Sequence, residues 1–200
     1  MTSTSQRRLQ RREALLRAAI ELIGEQGLSQ VRVADVAERA GISPGHVLYY
    51  FEGKADLFAQ ALRMVEQDLR DDYLAHAASL PTAAERWRYL IEAAAPTGPG
   101  DARLLLWLEA WELAPRDEDV AQQVHDLEQR WQTLVLDILR LGIDTGEIHT
   151  ADPEGFVTRF SALMDGLTIQ VVIGSTGVDR EKLLAICHEI ARTELGLKLS

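Results

Sequence analysis

Cysteine occurs once in the 200 residues, as Cys187. A lone thiol excludes an internal disulfide and leaves a cysteine-built zinc cluster without ligands. The five histidines, His46, His76, His125, His149 and His188, are scattered without metal-ligand spacing. Neither a metal nor a cofactor is therefore expected. No uncharged apolar run approaches the roughly 20 residues that a membrane-crossing helix needs. The start, MTSTSQRRLQRREALL, has arginines but no apolar stretch of the secretory-leader type. A cytoplasmic location and no membrane partner are the expectation. Nothing like a nucleophile elbow is present, so no catalytic residue is assigned and the chain is not read as an enzyme. Cys187, in an amphipathic stretch, reads as a packing thiol. Strand patterning is missing as well. Thr168–Ile173 is rich in β-branched residues but continues a helical stripe.

What is present is an ordinary globular mix, 46% apolar and 26% charged, arranged at helical spacing nearly throughout. Leu15, Leu16, Ala19, Ile20 and Ile23 recur at three- and four-residue steps, and Gly27 stops that helix. Val33–Ala40 forms a short second helix. Ser43 and Pro44 supply an N-cap and a first-turn proline for a third, which Gly53 ends. A fourth runs from Lys54 to about Ser79. Further helices are expected at 82–95, 101–114, 117–145, 153–173 and 179–195. The fold class is all-α, with nine helices: a three-helix unit over 1–53 and a helical bundle over 54–200, joined by the fourth helix as the sole covalent lever.

Charge divides unevenly along this frame. Residues 1–60 balance at +1 with clustered arginines, whereas residues 61–200 balance at −11. A solubilising surface with a basic tail is one reading of that asymmetry. A basic head that meets nucleic acid on an acidic body is the other.

"GISPGHVLYYFEGKADLF", residues 41–58, favours the second. A helix, a glycine-containing turn and a short helix make a helix-turn-helix, whose second helix enters the major groove N-terminus first. Pro44 and Gly45 put no bulk at that helix start. Ser43 and the free N–H groups there suit a phosphate, and His46 points at base edges. Tyr49 and Tyr50, adjacent on diverging faces, can donate phenolic O–H groups to flanking phosphates. Lys54 adds charge at the next helix start. Val47 and Phe51 remain as the inward residues. Packing of the tyrosines on the first helix is the alternative for either one alone.

The stretch "VADVAERAGISPGHVLYYFEGKADLFAQAL" closely resembles the DNA-binding signature of the tetracycline-repressor (TetR) family, over roughly Arg11 to Leu62. The resemblance implies an all-helical homodimeric transcription regulator, usually a repressor, that binds a double-stranded DNA operator and is released by a small ligand. Carried over by position, the DNA-facing residues are Ser43, Pro44, Gly45, His46, Tyr49, Tyr50 and Lys54. Two positions depart from the pattern. Arg32 replaces the usual threonine cap of the second helix, offering a phosphate contact at the loss of a cap. Leu48 stands where tyrosine is common and suits an apolar touch on a thymine methyl. "WLEAWELAPRDEDVAQQV" and "GEIHTADPEGFVTRFSALMDGLTIQVVIG" resemble the effector domain of the betaine-regulator (BetI-like) branch.

For the small-molecule effector, Trp107, Trp111, Glu112, His125, Trp131, Met164, Asp165 and Thr168 could form a cation box of aromatics and carboxylates. The competing reading makes the tryptophans core and the acids solvated surface. Phe156, Phe160, Leu163, Leu167 and Val171 line one stripe near the C-terminus, with Ala162, Ile169 and Val172 beside it. A helix apolar on two faces predicts a homodimer through the last two helices. A helical ligand-binding dimer without useful DNA binding is the alternative function.

Overall fold

The computed structural model describes residues 4–199. Among them it contains nine α-helices and no strand: α1 (Thr4–Gln26), α2 (Val33–Arg39), α3 (Pro44–Tyr50), α4 (Lys54–Ala77), α5 (Ala83–Ala94), α6 (Ala102–Leu113), α7 (Glu118–Thr145), α8 (Pro153–Val172) and α9 (Arg180–Leu195). A 3₁₀ turn at Ala114–Arg116, centred on Pro115, separates α6 from α7.

The helix starts follow from local chemistry. Thr82 Oγ1 accepts the N–H of Glu85, whose carboxylate in turn accepts the N–H of Thr82, so two orphan donors of α5 are satisfied reciprocally. Asp152 accepts from Gly155 N at 2.9 Å ahead of Pro153, and Asp179 from Lys182 N at 2.8 Å. Gly196, at φ +71°, adopts the left-handed conformation that closes α9. At α2 the expected loss of a cap has a partial remedy. Arginine has no acceptor to offer, but Asp35 one turn on takes the N–H of Arg32 at 3.0 Å.

Two compact units result: residues 1–66 with 100–124, and residues 67–99 with 125–200. These limits differ from the expected boundary after residue 53. The α4 helix runs through the division, and so does α7, so α4 is not the sole covalent connection.

In the first unit Leu15, Leu16, Ala19, Leu22 and Ile23 of α1 are buried with Val36 and Ala37 of α2, Val47 of α3, Phe51, and Leu57, Phe58, Ala61 and Leu62 of α4. The α6 helix is part of this unit and lies closely against α1. A Cβ on Gly24 would stand 2.6 Å from Ala102 Cβ and 2.8 Å from its Cα, so only glycine permits the approach. Glu109 of α6 also accepts the N–H of Leu28 at 2.9 Å, satisfying the turn that follows α1.

The second unit is built on an aromatic cluster. Trp87 of α5 lies 4.6 Å from Phe160, which stacks on Phe156 at 5.7 Å with rings 4° from parallel. Leu90, Ile91, Ile138, Leu139, Leu183, Cys187 and Leu195 close the core around it. Arg180 at the start of α9 donates to the carbonyls of Glu92, Ala95 and Pro96, capping the end of α5.

Candidate nucleic-acid interface and effector site

The segment from Ser43 to Tyr50 turns one face in and the other out. Val47 and Phe51 are buried, as expected, while Ser43, Pro44, Gly45 and His46 are exposed. Apart from its chain neighbours and its own helix backbone, nothing lies within 4 Å of where a Cβ on Gly45 would stand, so the start of α3 is open to a surface as close-fitting as a DNA groove. Ser43 holds the N-cap position without a side-chain cap bond. Its hydroxyl instead meets His46 Nδ1 at 2.7 Å. That bond restrains the imidazole orientation through Nδ1. A donating hydroxyl leaves Nε2 of the neutral ring as a proton donor, and an accepting one leaves it as an acceptor.

In the second half of α3, Leu48 and Tyr49 are the two most exposed large apolar side chains on the segment, at 66% and 62%. Tyr50 is half-buried and meets Tyr49 edge-on, with ring centres 5.2 Å apart. Lys54 extends to the carbonyl of Ser29 at 3.2 Å and so bridges to the turn before α2. Arg32 is exposed at the start of α2.

Not every arginine of the head is free for a phosphate. Arg39 is held by Glu25 at 2.7 Å and Glu21 at 3.2 Å, both on α1, and hydrogen bonding from Arg39 draws the Glu25 carboxyl below its usual range. Arg12 bonds Gln60, which donates to Asp56, which accepts the N–H of Glu52, so α1 is tied through α4 to the end of the recognition segment. Arg7, Arg8 and Arg11 are exposed.

The effector candidates divide between the two units. In the first, Trp107 and Trp111 stand one turn apart on α6 with ring centres 5.8 Å apart, both half-buried. Glu112 beside them is exposed.

In the second unit, α7 and α8 bring several of the rest together. The indole N–H of Trp131 donates to the buried Ser161 hydroxyl at 3.2 Å. Asp165 lies one turn beyond Ser161 and Thr168 three residues further, on the same side of α8. Burial first, and the charge of Glu128 second, push the Asp165 carboxyl up to about 6. Glu128 precedes Trp131 by three residues, so acid and indole share a face of α7. Met164 instead faces the core, 3.7 Å from the Cys187 sulfur, and His125 is exposed with Gln129 at 2.9 Å. Sequence reasoning missed Glu128. Its spacing from Trp131 was the available signal. A polar groove of about 300 Å³ lies elsewhere in this unit, lined by Arg70, Asp126, Gln129, Arg130 and Thr133, and contains none of the aromatic candidates.

Comparison with known proteins gives the family to which each part of the chain is similar. Residues 15–61 match the profile of bacterial regulatory proteins of the tetR family, and residues 83–196 match that of the BetI-type transcriptional repressor C-terminal domain. The HTH-type transcriptional regulator BetI of Rhizobium meliloti is 28% identical over 186 residues, 92% of this chain and 89% of the relative. BetI of Escherichia coli O157:H7 is 25% identical, over 91% of this chain and 90% of that one. A transcriptional regulator from Saccharomonospora viridis, solved in complex with choline, superposes with a TM-score of 0.83 at 28% identity, over 92% of this chain and 96% of that one. A TetR-family regulator from a Rhodococcus species gives 0.76 at 27% identity, over 90% and 97%. The chain belongs to the TetR family of bacterial transcriptional regulators, with a BetI-type repressor domain as its C-terminal part.

Proposed function

We propose that this regulator is a cytoplasmic homodimer that represses from a pseudo-palindromic operator and is released by a small quaternary-ammonium cation of the choline type. The observation that carries the ligand class is Asp165. Its carboxyl is desolvated, stands in the field of a second acid, Glu128, and has no basic partner among the described residues. Burying the Asp165 charge is costly, and a permanent cation bound beside its carboxylate and the Trp131 ring relieves that cost directly. The regulator from Saccharomonospora viridis that holds choline supports the same class.

The dimer follows from α8. Phe156, Phe160, Leu167 and Val171 are consumed by the core of their own unit. Ala162 and Gly166 remain exposed with Ile173, and Ile169 half-exposed, along the opposite side. Two such faces, with the half-buried Ile186 and Ile190 of α9, suit an isologous contact. Two recognition helices then meet half-sites about 34 Å apart, or a small multiple of it.

A mobility shift with DNA from upstream of the coding sequence, at two salt concentrations, tests the reading. A specific complex weakened by choline chloride supports it, and His46→Ala should alter which sequence is preferred. A dimer that retains choline but shifts no DNA overturns the operator, and release by other amphiphiles but not by choline overturns the cation.

A further inference from the structure

Arg8, one turn before Arg12 on α1, lies over the ring of Tyr49, with its guanidinium carbon 5.0 Å from the ring centre. The ring is itself braced. Its neighbour Tyr50 meets it edge-on, and Tyr50 in turn lies 6.4 Å from Phe51, which is buried in the core of the head. A graded series of rings thus runs from core to solvent and ends under a cation. Arg8 makes no ion pair among the described residues, so the aromatic face is what orders it.

The chemistry of the two groups makes this more than a surface contact. Guanidinium is flat and delocalised. It stacks through its face while its N–H donors point outward in the plane, matched to the paired oxygens of a phosphate. An arginine seated on an aromatic ring is therefore presented to an anion with much of its side-chain freedom already lost. A phenolic hydroxyl acting alone offers one neutral donor.

We infer that Tyr49 is a positioning residue for operator binding: its ring seats Arg8 beside the recognition helix, so that Arg8 meets a backbone phosphate while α3 addresses base edges. This rests on the chain's reading as an operator-binding regulator. It departs from the expectation that Tyr49 acts through its hydroxyl.

The experiment is a double-mutant cycle on the full-length protein, with dissociation constants for operator DNA measured over a range of salt. An exposed cation–π pair changes an equilibrium by about two- to fivefold, and a dimer counts it once per head, giving roughly 4- to 25-fold. Arg8→Ala and Tyr49→Leu should each weaken binding in that range, and the double variant should be no weaker than the worse single. Tyr49→Phe should restore most of what Tyr49→Leu loses, because it keeps the ring. The salt slope should fall by about 0.9 per head in Arg8→Ala. Additive losses, or Tyr49→Phe binding as poorly as Tyr49→Leu, would overturn the seat and return Tyr49 to a hydroxyl donor. A second readout needs no DNA. In the free protein, Arg8 Nε–H should show a ring-current shift that survives Tyr49→Phe and disappears in Tyr49→Leu. Its absence in the wild type overturns the inference. A wild type that shows the shift but binds no operator overturns the operator reading instead.

Discussion

Replacing Asp165 with asparagine should make the protein more stable at neutral pH, and the gain should depend on pH in one direction. The carboxyl rises from 3.8 to about 6 on folding, because the half-buried site disfavours charge and Glu128 repels it. At about 1.36 kcal/mol per pH unit that rise corresponds to roughly 3 kcal/mol, and solvent screening at a half-buried site reduces it to about 1–2 kcal/mol. Below pH 4 the group is protonated whether folded or unfolded, and no penalty exists. Between pH 4 and 6 the unfolded chain releases the proton before the folded one does, so stability falls as pH rises, and above pH 6 the loss is complete. Asparagine keeps the shape and cannot ionise, so the variant should match wild type at pH 4 and exceed it at pH 7.5. Urea midpoints measured from pH 4 to 8 at one fixed protein concentration give the comparison, since a dimer's apparent stability varies with concentration. Choline at saturating concentration should then stabilise wild type more than Asp165→Asn at pH 7.5. A variant less stable than wild type at pH 7.5, or a difference that stays flat with pH, would refute the argument that this carboxylate is held charged at a cost.

Two further outcomes follow from packing. Gly24→Ala should lower the melting temperature: the alanine methyl meets Ala102 backbone that cannot rotate away, and an overpacking cost of about 1–3 kcal/mol exceeds the helix-propensity gain of at most about 1. Ala102→Gly should rescue only part of it because Ala102 Cα is also within 2.8 Å, and a variant melting at or above wild type contradicts the close approach of α1 and α6. The Cys187 thiol is fully buried and pushed up to about 12 by that burial, so iodoacetamide should leave it unmodified at pH 8 until denaturant is added; labelling at the rate of a free thiol in the native protein would show the core around α9 to be open.

Much of the architecture was legible because it is decided by neighbours in sequence. Asp152-Pro153, Asp179 and Thr82 begin helices through bonds to residues three positions on, and the chain announces those starts wherever it lies. The alternation of Val47 and Phe51 against Gly45 and His46 marks the inward and outward sides of α3 for the same reason. What escaped notice depends on distance along the chain. Glu109 serves the N–H of Leu28 across 81 positions, and nothing near either residue indicates the other. Glu128 acquires its importance from Asp165, on another helix. Ser43 takes the N-cap position that its sequence context indicates, but the use of its hydroxyl, which goes to His46 rather than to a backbone N–H, was not legible there.

The bond between Glu109 and Leu28 bears on how new regulators are assembled from old ones. Because α6 completes the unit that carries the recognition helix, the part to be transplanted is not one continuous stretch. A hybrid made by splicing residues 1–66 onto a foreign effector body leaves Leu28 without its carboxylate and Gly24 facing whatever the new host supplies. Exchange of specificity within this family is therefore better attempted by grafting the outward side chains of α3, which leaves α1 and its distant partner as evolution matched them.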